Sequence, residues 1–109
     1  MDTGTDVIRR YFELEAAHDL GALVALFGDD ATVVDEGRMR RGVYEIRAWR
    51  SGAASAYTYS TEVRAIRERG PDQYLVDGRI TGDFPGGVAD LTWDFTVAEG
   101  RIHRLVIAP

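Results

Sequence analysis

Apolar residues recur at two different periods along the chain, and the change from one to the other divides it near its middle. From Asp6 to His18, Val7, Ile8, Tyr11, Phe12 and Leu14 fall at helical spacing, while Arg9, Arg10, Glu13 and Glu15 occupy the other side. Asp19 is placed to cap a second helix, "LGALVALF", dense enough in apolar residues to be buried, with Gly28 as its terminator. "ATVVD" reads as a strand and "EGRMRRG" as a glycine-flanked connection. Val43, Ile46 and Trp49 then share one face of a short third helix that Ser51 and Gly52 end.

Beyond that point the period is two. "YTYSTEVRAIRE" sets Tyr57, Tyr59, Thr61 and Val63 against Thr58, Ser60, Glu62 and Arg64, and "RGPD" is a turn with proline at its second central position. "QYLVDGRITG" is the next strand, "DFPGG" interrupts, "VADLTWDFTVA" resumes, and the dipeptide "EG" is a tight connection into "RIHRLVIA". Helices segregated from a run of antiparallel strands predict an α+β domain. Its sheet must curl, or be covered by the helices, to bury its apolar face, which leaves a cone.

Composition narrows this further. A chain of 109 residues, 45% hydrophobic, with no linker or repeat, is expected to form a single domain over 1–109. No apolar run approaches the roughly 20 residues of a membrane helix, and the start "MDTGTDVIRR" lacks the pattern of a leader, so a cytoplasmic location is expected. The absence of cysteine removes disulfides, thiolate zinc sites and thiol nucleophiles. His18 and His103 form no metal motif, and no cofactor is expected. The net charge of −5 argues against nucleic acid as a partner. All 13 basic residues are arginine, a compositional bias whose densest cluster is Arg38, Arg40 and Arg41.

The stretch from Val7 to Gly37, followed by "RGVYEIRAW", resembles the opening of the nuclear-transport-factor-2-like superfamily, and nearly the whole chain fits. The residues that carry the resemblance are Asp19, Leu20, Phe27, Asp29 to Thr32, Arg41, Gly42 and Ile46. The resemblance implies a cone-shaped curved antiparallel sheet wrapped by three N-terminal helices. Its members include SnoaL-like polyketide cyclases, ketosteroid isomerases and non-catalytic carriers, so the fold leaves the activity open. In the steroid isomerases a tyrosine on the first helix and an aspartate ending the first strand meet in the cone, and Tyr11 and Asp35 occupy those positions here. The aspartate shuttles a proton next to a carbonyl, and the tyrosine donates to the developing enolate oxygen. The family's second oxyanion donor falls at Trp93, whose indole N–H can also donate but is weaker and larger than a carboxylic acid, so it would fill volume and reshape the pocket.

Each candidate has a plainer alternative. Asp35 shares strand parity with Val33 and so faces the core, or it ends the strand and pairs with Arg38 or Arg40. Tyr11 is a site donor or a packing tyrosine. If Leu105 faces the cone, His103 and Ile107 share its side, where His103 is an acid or base or simply a core-edge residue. Trp49, Tyr57, Tyr59, Trp93 and Phe95, with Phe84 near the "DFPGG" rim, either line a cavity for a flat apolar ligand or pack the core. The combined expectation is a small acid-base enzyme of isomerase or cyclase type acting on an apolar, enolisable polyketide-like, steroid-like or terpenoid-like molecule. A non-catalytic binding module and an accessory dimerisation domain are the alternatives. The resemblance also implies a homodimer through the outer sheet face, with Thr58, Ser60, Glu62, Ile66, Thr92 and Asp94.

Overall fold

The computed structural model describes residues 3–52 and 57–109. Among these, α1 (Thr3–Ala17), α2 (Leu20–Val24) and α3 (Gly42–Ser51) accompany six strands: β1 (Phe27–Asp35), β2 (Arg38–Arg41), β3 (Tyr59–Gly70), β4 (Gln73–Gly82), β5 (Val88–Ala98) and β6 (Arg101–Ala108). No described helix is long and apolar enough to cross a membrane. The predicted α+β arrangement is present, as a curved, unclosed sheet in the order β2-β1-β6-β5-β4-β3. β3 to β6 form an antiparallel meander, whereas β1, which β2, α3 and the first three strands of the meander separate from β6 along the chain, pairs with β6 in parallel.

Asp19 does cap α2, its side chain accepting from the Ala22 amide at 3.2 Å. The helix is shorter than its apolar run, however, and ends at Val24. Gly28 is no terminator but a buried residue of β1, with the His103 ring 3.2 Å from where a Cβ would stand. The connection after Asp35 is a hairpin rather than a loop. Glu36 (φ 54°) and Gly37 (φ 73°) adopt the left-handed pair that matches strand twist and lead directly into β2. Glu99 (φ 55°) and Gly100 (φ 73°) do the same between β5 and β6, as expected from the sequence.

Two registers run across all six strands and define the faces. Arg38, Asp35, Ile107, Trp93, Val76 and Ile66 align on the inner face. Met39, Val34, Val106, Asp94, Leu75 and Arg67 align on the outer one. The inner row and its neighbour Val33, Leu105, Phe95 and Tyr74 pack against Val7, Ile8, Tyr11 and Leu14 of α1 and Ile46 and Trp49 of α3. Two of the register irregularities reverse faces that alternation assigns. The register of β3 shifts between Val63 and Ala65, which turns Ile66 inward onto the core rather than onto the expected outer face. The register between β5 and β6 shifts at His103, so Ile102 and Leu105 both point inward while His103 is exposed.

Candidate functional site

Asp35 ends β1 as the acidic member of an otherwise apolar stretch of the inner row, half-buried between Ile107 on β6 and the turn to β2. Its Oδ2 accepts a hydrogen bond from Trp49 Nε1 at 3.0 Å. Bonds to a charged group contribute about 1.5–3 kcal/mol, so a buried indole from α3 orients this carboxylate. Arg40 approaches Asp35 only through its backbone, Nη1 donating to the Asp35 carbonyl at 3.0 Å. Of the two readings of Asp35, the side chain takes the inward one, and Trp49 is its positioning partner.

Tyr11 is fully buried, and its hydroxyl has no hydrogen-bond partner among the described residues. Its ring is fixed edge-on by Phe12, Phe95 and Phe27 at centroid distances of 5.1, 5.4 and 6.3 Å. Burial, and next the charge of Glu15, push its pKa well above the ordinary tyrosine value, against an opposing effect of Arg50. The hydroxyl therefore remains a neutral donor at physiological pH. Leaving such a group unbonded costs about 1–3 kcal/mol, which a purely structural position would avoid by carrying phenylalanine.

One helical turn beyond Tyr11, Glu15 is also buried, at 8% exposure, although the sequence pattern places it on the polar side. Its carboxylate accepts from Thr61 Oγ1 at 2.9 Å and Tyr59 Oη at 3.1 Å, and lies 3.5 Å from Arg50 Nη1. Arg50, with only 10% of its side chain exposed, sits over the Trp49 ring at 5.1 Å and approaches the Tyr59 hydroxyl at 3.5 Å. Burial works against the guanidinium charge, but Tyr11, Tyr59 and Glu15 outweigh it and hold its pKa above the usual value. Burial followed by the Glu15 charge raises the pKa of Tyr59. The resulting chain, Asp35–Trp49–Arg50–Glu15–Tyr59, links α1, α3, β1 and β3.

A cavity of about 310 Å³ opens against the Glu15–Arg50–Tyr59 end of this network, with Phe12, Glu15, Arg50, Tyr57, Tyr59 and Thr61 in its wall, while Tyr11, Asp35 and Trp49 lie behind that wall. Tyr57 is a rim residue, 47% exposed, packed edge-on against Phe84 at 6.2 Å. Trp93 and Phe95 are core residues: Trp93 meets Phe12 at 5.3 Å, and Phe95 meets Tyr11. His103 lies outside this constellation, its ring 3.2 Å from the Ala98 carbonyl, because the β6 irregularity reverses the face that parity assigns it. Glu15 and Arg50 are the residues that sequence reasoning missed. The available signal was the four-residue spacing from Tyr11 to Glu15, which puts both on one helix face.

The SnoaL-like domain model matches residues 8–105, and the chain belongs to that family. A Sinorhizobium meliloti protein named as a candidate polyketide cyclase is 35% identical, with 99% of this chain and 100% of that one covered at a TM-score of 0.89. A Mycobacterium tuberculosis protein solved with estradiol-17β-hemisuccinate shares the fold at 15% identity, covering 100% and 95% of the two chains at a TM-score of 0.85. TerC, co-crystallised with polyporic acid, does so at 16% identity, with 98% and 91% covered and a TM-score of 0.84. No curated protein sequence matches the chain.

Proposed function

We propose that the protein is a cofactor-independent acid-base enzyme of isomerase or cyclase type, acting on an enolisable, largely apolar molecule bound in the cone. The observation that carries this reading is the buried, unbonded Tyr11 hydroxyl facing the same interior as an oriented Asp35 carboxylate. Asp35 takes a proton from a carbon next to a carbonyl. The C–H electron pair becomes the enolate double bond, and the carbonyl oxygen, now negative, accepts from Tyr11. Asp35, now a carboxylic acid, returns the proton to another carbon of the enolate in an isomerisation. In a cyclisation the enolate carbon attacks a second carbonyl, and the proton goes to the new alkoxide.

The neighbours crystallised with estradiol-17β-hemisuccinate and polyporic acid, and the candidate cyclase, support a small-molecule ligand of this general class. The aromatic wall from Phe12 to Tyr57 suits a flat one. The outer sheet face pairs with a second copy in this reading.

The test requires no knowledge of the natural substrate. A panel of tetralones and steroidal ketones is incubated with protein in deuterated water, and exchange next to the carbonyl is followed by NMR. Catalysed exchange that falls by about 10²–10⁴ in Asp35→Asn, with the circular dichroism spectrum unchanged, is the expected result. Undiminished exchange in that variant overturns the reading.

A further inference from the structure

We propose that Arg50 supplies the second half of the oxyanion site, so that a planar enolate or phenolate oxygen is received between the Arg50 guanidinium and the Tyr11 hydroxyl. The inference rests on the acid-base reading above. It assigns to α3 a stabilising residue that the sequence pattern does not indicate.

Placement is the first argument. Side chains four apart on a helix are neighbours, with Cβ atoms about 5–6 Å apart. Glu15 therefore stands beside Tyr11, and Arg50 Nη1 lies 3.5 Å from Glu15 Oε2. The guanidinium is thus held on the Glu15 side of Tyr11, and it lines the 310 Å³ cavity. It also lies over the ring of Trp49, whose indole N–H orients Asp35, so the cation and the base flank one indole. An enolisable carbon near Asp35 then has its oxygen directed toward Arg50 and Tyr11.

Charge is the second argument. Tyr11 is a single neutral donor, and an oxygen that gains a full negative charge in a dry site needs more than that. Glu15 neutralises Arg50 in the resting protein, and its own lone pairs are engaged by Tyr59 and Thr61, which fix the pair in place. When Asp35 accepts the substrate proton, one negative charge moves from Asp35 to the substrate oxygen, toward the cation. The total charge of the site is unchanged.

A phenol reads this pole directly, because burial in a neutral pocket suppresses its ionisation while a fixed cation promotes it. 2-Naphthol is titrated into the wild-type protein, and its ultraviolet spectrum separates the bound neutral form from the bound anion. The expected result is a bound apparent pKa at least about one unit below that of free naphthol, a tenfold gain in the ratio of anion to neutral form. Arg50→Gln loses this enrichment. Glu15→Gln, which keeps the acceptor for both hydroxyls but removes the counter-charge, increases it.

Naphthol that binds the wild type and stays neutral overturns the inference and leaves the acid-base reading standing, as does an ionised fraction unmoved in Glu15→Gln. A wild-type protein that binds no naphthol, and exchanges no deuterium into any ketone of the panel, overturns both. Should Arg50→Gln not fold, the wild-type and Glu15→Gln measurements decide the question.

Discussion

Tyr11 and Glu15 show how differently two side chains on one helix face can be read. Tyr11 declares itself through its apolar neighbours Val7 and Leu14, whereas Glu15 looks like the solvent-side companion of Glu13. Only the arrival of Arg50, Tyr59 and Thr61 makes its burial affordable. Glu15→Ala removes the buried counter-charge of the guanidinium, so a loss of about 3–5 kcal/mol is expected in urea unfolding. The double variant Glu15→Gln with Arg50→Met should cost clearly less than the sum of the two single changes, since no charge is then stranded. Strict additivity would show that the pair is not coupled. The helix face of Tyr11 was legible because apolar spacing fixes it locally, whereas the direction of Asp35 is one of two readings until Trp49 donates to it across the fold. Arg50 was not legible, because nothing local separates it from twelve other arginines.

Among the elements, β4 to β6 follow from alternation alone, with bounds that the sequence already places. Alternation is valid only until an extra residue enters a strand. The shifts at Val63/Ala65 of β3 and at His103 of β6 reverse the faces of Ile66 and His103, and neither has a glycine at the shift itself to mark it. The compensating glycine is on the partner strand. Gly78 pairs with Val63 next to the β3 irregularity, and a Cβ there would stand 2.6 Å from the Glu62 carbonyl oxygen and 3.0 Å from the Trp93 ring. Gly78→Ala is expected to destabilise the protein by about 1–3 kcal/mol, measured by thermal or denaturant unfolding, because the backbone cannot retreat without disturbing Trp93. A neutral result would mean that β3 slides freely at this point.

Taken as a whole, the molecule leaves one face of its sheet only partly covered. The outer row of Val34, Val106 and Leu75 is half-buried, and Met39 at its edge is 65% exposed. The ion pairs of Arg79 and Arg64 with Asp90 lie to one side of it. The homodimer proposed above would bury this row. Sedimentation should therefore give twice the mass of the 12.1 kDa chain, and Leu75→Asp should return it to the monomer mass with the spectrum intact. A wild-type monomer at high micromolar concentration would exclude this surface as the interface.

Periodicity, capping and turn chemistry act over a few residues, and for that reason the order of helices and strands, the Asp19 cap and the Glu99-Gly100 turn were present in the chain itself. What the tertiary structure decided has a common physical origin in contacts between distant segments. The parallel pairing of β1 with β6, the reversed faces of Ile66 and His103, and the Glu15–Arg50–Tyr59 network all depend on strands and helices meeting at a register that no local pattern encodes. A buried charge is tolerated only where its partner arrives, and that arrival is a property of the assembled fold.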